Sequence, residues 1–229
     1  MSILQTTMKN YIKQRKSKEN YFIVNGIEVY QNSALPDNVS VRSVVEKSTS
    51  IVPKKLYKFI EKIKIGEFDV LDDRDLNALY KDKTIYLTNI QDSEEDMLDD
   101  IIHEMAHSVE EVYAHLIYSD GKIKEEFRIK REKLKKILDS TGHHIDPSKY
   151  ASLSYDREFD MFLYKDVGYE KLSSLTSGIF LSPYAATSLR EYFANGFEAF
   201  FVQKDVNRLK KVSPFLYKKI EELLIIDEI

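Results

Sequence analysis

An α+β fold is what this sequence predicts, with a small twisted sheet first and a mostly helical C-terminal half after it. Three observations lead there. Two apolar runs flank Asn25-Gly26, a dipeptide that tolerates positive φ at both central positions of a tight hairpin. Residues 84–89 alternate, with Ile85 and Leu87 on one face and Tyr86 on the other, as a strand does. From Ser93 onward, several long segments repeat apolar residues at the three- and four-residue spacing of helices.

In chain order, residues 1–20 hold Lys9, Lys13, Arg15, Lys16 and Lys18 with little apolar periodicity, and read as a flexible basic arm. Residues 21–31 are the hairpin. Pro53 opens a helix over 54–63, where Leu56, Phe59, Ile60 and Ile63 share a face, and a short strand is expected at 68–71 after Gly66. Ser93 is placed to cap a long helix reaching Tyr118, with Asp96 at the capping-box position and Glu94 and Glu95 favoured by the helix dipole. Apolar residues cover most of that helix's circumference, so it should be central and buried. A Lys-rich helix over 122–138 follows, with Gly142 as its stop and a solvated surface expected. Residues 143–182 read as irregular structure with short helices, and helix returns over 188–202 and 214–226. No repeat or Gly/Ser-rich linker interrupts 21–229, so a single domain is expected there.

Composition narrows the function. The 43% hydrophobic content suits a globular protein, and the net charge of −4 comes from interspersed acids and bases, which argues against nucleic acid as a partner. No stretch approaches the roughly 18 apolar residues of a membrane helix, and the N-terminus lacks an apolar signal core. A cytoplasmic monomer without membrane contact is the starting expectation. There are no cysteines, so any metal must be held by His and carboxylate.

His103-Glu104-Met105-Ala106-His107 places two imidazoles one helical turn apart on one face, where both can bind a single ion. Glu104 falls about 100° further round, beside the ion rather than on it, where a carboxylate can take a proton from a water that the metal activates. The pattern points to one Zn²⁺ per chain and to hydrolysis of peptide bonds in a protein or peptide substrate. Catalytic zinc usually takes three protein ligands. A metzincin-type third His is ruled out, because Glu110 and Tyr113 occupy the positions where that pattern has Gly and His. Glu158, Asp160, Glu191 and Glu198 remain. Glu191, Asn195 and Glu198 form a polar stripe on an otherwise aromatic helix, yet Glu191 is equally placed to complete a capping box with Ser188.

The segment from His103 to Glu111 resembles the active-site helix of the anthrax lethal factor-like zinc metallopeptidases, in the zincin superfamily. That family includes the lethal factor catalytic domain and the secreted Pro-Pro endopeptidases. Ser182-Pro183-Tyr184 followed by Glu191-Tyr192-Phe193-Ala194-Asn195-Gly196-Phe197 is similar to the family's segment in which a Tyr precedes the third zinc ligand by seven residues. Ser213-Pro214-Phe215-Leu216 resembles its C-terminal end. The resemblance covers about residues 80–117 and 180–226. It implies a zincin-like fold, Glu191 as third ligand, and Tyr184 as a residue assisting at the substrate carbonyl. The chain departs from the family in a longer connection between His107 and Tyr184, in Asn195 where Glu is frequent, in lacking a secretion signal and in having no Trp.

Among the remaining histidines, His143 and His144 read as solvated loop residues and His115 as packing or surface. Residues 84–89, just before the motif helix, are expected to pair with an extended substrate. Two other functions fit the same residues: a binding module that keeps its metal but performs no catalysis, and a protease effector delivered by another component. An intact Glu104 argues against the first, since a structural site needs no base.

Overall fold

The computed structural model describes residues 20–72, 76–202 and 206–225, so the expected basic arm lies outside the described residues apart from Asn20. It is a mixed α+β chain, 61% helical with one five-stranded sheet. Its contacts cluster into two compact units, residues 1–108 and 109–229.

The first unit is built on the sheet. Strands β1 (Tyr21–Val24) and β2 (Ile27–Gln31) form the hairpin, with Val24 opposite Ile27 across Asn25 (φ 50°) and Gly26 (φ 95°). Helix α1 (Val41–Ile51) follows, capped by the Ser40 side chain, which accepts the Ser43 amide, and buries Val41, Val44, Val45, Ser48 and Thr49 on one face. Helix α2 (Lys54–Tyr57) lasts about one turn. The helix expected over 54–63 stops there, because residues Lys62–Gly66 are strand β3. Leu56 and Ile60 do sit at helical spacing, but Lys62-Ile63-Lys64-Ile65 also alternates. Pairing on both sides, with β2 and with β5, selects the two-residue period and buries Ile63 and Ile65 completely.

The strand expected over 68–71 is instead the short helix α3 (Asp69–Asp72). A strand the sequence did not signal, β4 (Ala78–Lys81), pairs antiparallel with β5 (Thr84–Thr88) through Asp82 and Lys83, both at positive φ. The sheet order is β1-β2-β3-β5-β4, with the β2-β3 and β3-β5 pairs parallel. Helix α4 (Glu94–Tyr118) starts at the expected cap: the Ser93 hydroxyl accepts the Asp96 amide at 3.1 Å and donates to its carboxylate at 2.7 Å. Met97, Ile101, Ile102, Met105 and Ala106 are fully buried as expected, whereas Val112 and Leu116, further along the same helix, are exposed.

The second unit is helical. Helix α5 (Lys122–Ser140) contradicts the expectation of a solvated surface, because it buries Glu126, Lys130 and Arg131 beside Ile123, Phe127, Leu134 and Leu138. The stretch expected to be irregular with short helices holds α6 (Pro147–Ala151), α7 (Arg157–Met161) and α8 (Tyr169–Thr176), with a π-helical segment at Phe162–Gly168. A 3-10 turn at Tyr184–Ala186 leads to α9 (Leu189–Phe201), followed by α10 (Val206–Val212) and α11 (Pro214–Ile225). Tyr192, Phe193 and Phe197 are the buried aromatic face of α9. No helix among the described residues is long and apolar enough to cross a membrane.

Candidate metal centre

His103 and His107 project from successive turns of α4 with ring centroids 5.0 Å apart and planes at 82°. His107 is buried and His103 half-buried. Between them in sequence, Glu104 is 5% exposed, and its Oε2 accepts the Tyr80 backbone N–H of β4. That bond orients the carboxylate and leaves Oε1 for another donor.

Glu191 lies in the first turn of α9. The Ser188 hydroxyl accepts the Glu191 N–H at 3.1 Å, so the cap is made through the backbone of Glu191. Ligand atoms of His103, His107 and Glu191 all lie within 4.8 Å of one another, close enough to bind one metal ion. The other acids considered from sequence are engaged differently. Glu158 pairs with Lys149 at 2.7 Å, and Asp160 accepts the phenols of Tyr155 and Tyr169. His143 contacts Lys171 and His144 contacts Asp139, both at the surface, and His115 is exposed.

No protein-family model, curated protein or solved structure matches this chain.

Tyr184 is at the start of the turn before α9, and several groups define its surroundings. The Ser182 hydroxyl donates to Asn195 Oδ1 and accepts the Ala185 N–H at 3.2 Å, while Asn195 Nδ2 donates to the Glu191 carbonyl at 3.1 Å. The turn is thus tied to the same helix that carries Glu191. Burial, and after it the charge of Glu191, then of Asp160, holds the Tyr184 phenol well above its ordinary pKa. The group stays a neutral O–H donor across the physiological range. A second phenol, Tyr118, donates to Glu110 at 2.6 Å, and Glu110 in turn faces Arg190 at 3.4 Å. Burial first and Glu110 second raise the Tyr118 pKa as well.

One expectation fails on topology. Residues 84–88 cannot pair with a substrate strand, because β5 is hydrogen-bonded to β3 on one side and β4 on the other. Among the described residues β4 is an edge strand of the sheet, and its Tyr80 N–H is given to Glu104 of the motif helix. Sequence reasoning missed β4, and it missed the Asn195–Ser182 tie. A Ser before Pro-Tyr and an Asn one turn after Glu191 were the available signals.

Proposed function

We propose that this chain is a zinc-dependent endopeptidase of the lethal factor-like type, holding one zinc through His103, His107 and Glu191. The observation that carries the reading is the convergence of two imidazoles and one carboxylate within 4.8 Å. Two nitrogens and one oxygen, with no thiolate, are the donor set of hydrolytic zinc centres, which keep a fourth position for a reactant. Zinc bound there supplies Lewis acidity, which makes water nucleophilic at neutral pH and polarises a carbonyl.

The chain's own residues provide the remaining chemistry. Glu104 takes the proton of the attacking water at Oε1, its other oxygen being fixed by the Tyr80 amide, and passes that proton to the leaving amine. Tyr184, kept neutral, donates its O–H to the oxygen that gains negative charge as the carbonyl is attacked. The edge strand β4, apart from the Tyr80 N–H that holds Glu104, offers backbone groups to an extended substrate, a role moved from the strand the sequence suggested.

Glu104→Gln tests the reading. The variant is expected to retain zinc and the fold, and to cleave no member of a diverse peptide library in which the wild-type protein is expected to find substrates. Equal cleavage by both proteins contradicts the mechanism. A wild-type protein that binds zinc and cleaves nothing favours a binding module instead.

A further inference from the structure

Arg131 is the largest fully buried side chain of the molecule's described residues, 1% exposed, on a Lys-rich helix that also buries Glu126 and Lys130. A buried guanidinium is costly unless its five donors are used. Here they reach four backbone carbonyls: Nε to Tyr150 at 3.3 Å, Nη2 to Lys149 at 2.6 Å, and Nη1 to both Ala186 and Thr187. The guanidinium carbon lies 3.9 Å from the centroid of Phe159, which covers it. Two of the four carbonyls belong to the short segment that separates Tyr184 from the Ser188 cap of α9. Within the segment the Thr187 hydroxyl donates to the Tyr184 carbonyl at 2.8 Å and the Ala185 N–H to Ser182, and the guanidinium adds an anchor from another helix.

We propose that Arg131 is a positioning residue, whose guanidinium fixes the backbone between Tyr184 and Glu191 and so sets both side chains for the metal centre. The inference rests on the metalloendopeptidase reading. Arg131 touches neither metal nor substrate; it acts through the carbonyls of Ala186 and Thr187. Lysine cannot replace it, because one ammonium cannot span donors that the planar fork presents to two separate segments.

The test compares zinc affinity, by competition with a chromophoric chelator, in wild type, Arg131→Lys and Leu138→Ala. Leu138 is a fully buried residue of the same helix, and its variant controls for lost stability. Arg131→Lys is expected to bind zinc about tenfold more weakly, the effect of losing an outer support of a metal ligand, and Leu138→Ala to bind it normally. In active protein, Arg131→Lys should lower kcat with little change in KM, and adding it to Tyr184→Phe should cost less than the two separate losses combined. If Arg131→Lys does not fold, Phe159→Leu loosens the same anchor and should weaken zinc by about threefold. Absence of zinc binding in the wild type defeats the metal reading itself. Wild-type zinc affinity retained in Arg131→Lys, or in Phe159→Leu where the first does not fold, overturns the role of Arg131 and leaves the metal reading intact.

Discussion

In the proposed mechanism Glu104 and Glu191 have different duties, and the difference follows from what holds each carboxylate. Glu104 is bound through one oxygen by a backbone amide, which fixes its direction without neutralising it. Glu191 has its amide satisfied by Ser188, and its carboxylate lies within 4.8 Å of the ligand atoms of the two imidazoles. Tyr184→Phe isolates the third participant, because it removes only the hydroxyl. Loss of one oxyanion donor typically costs about 10²–10³ in rate. The variant should therefore lose at least about tenfold in kcat while keeping its zinc and KM, and steady-state kinetics on any cleaved peptide measures this. An unchanged kcat would remove Tyr184 from the mechanism. At this scale the histidines were legible because their four-residue spacing is itself the geometry of ligation. Glu191 was not separable from a capping glutamate by spacing alone, since both roles need an acid three residues after Ser188.

Among the elements, α9 shows how closely the ligand helix is packed. A Cβ added at Gly196 would lie 2.7 Å from Leu216 Cγ and closer still to its Cδ2 methyl, so α11 approaches α9 where the side chain is missing. Gly196→Ala should destabilise the fold by roughly 1–3 kcal/mol through overpacking. Pairing it with Leu216→Val should recover part of that loss in denaturant unfolding; strictly additive costs would contradict the contact. Helix α4 was readable from end to end because its cap and its apolar stripes are local features. Strand β3 was not, because Leu56, Phe59, Ile60 and Ile63 satisfy a helical period while Lys62–Gly66 also satisfies a strand period. Only the neighbouring strands decide between them. Helix α1 was hidden by its β-branched valines and threonine, and β4 by a turn of Asp82 and Lys83 that lacks glycine. The buried charges of α5 leave no local trace, since they are satisfied by backbone groups far along the chain.

Over the whole molecule those buried groups give stability a distinctive pH dependence. Burial pushes the phenols of Tyr118, Tyr169, Tyr184 and Tyr192 upward. Above about pH 10 the unfolded chain loses these protons while the folded chain keeps them, so stability falls as pH rises, by up to about 1.4 kcal/mol per pH unit for each phenol. Lys130 acts in the opposite sense. Burial lowers its pKa from 10.5 to about 8, against the opposing charge of Glu126, so between those values the unfolded chain binds the extra proton and stability rises with pH. Denaturant midpoints measured across that range should rise more in wild type than in Lys130→Met and turn downward above about pH 10. A midpoint difference between the two proteins that does not change over this interval would remove Lys130 from the account.

If one chain holds one zinc through His103, His107 and Glu191, the metal content of the protein and of two carboxylate variants will report it. Protein purified without chelators, analysed by elemental analysis beside Glu191→Ala and Glu158→Ala, should contain one zinc per chain in the wild type. Glu158→Ala should retain it, since that carboxylate pairs with Lys149. Glu191→Ala should bind at least about tenfold more weakly and lose zinc on dialysis. Wild-type protein without zinc, or zinc lost from Glu158→Ala and kept by Glu191→Ala, would contradict the account.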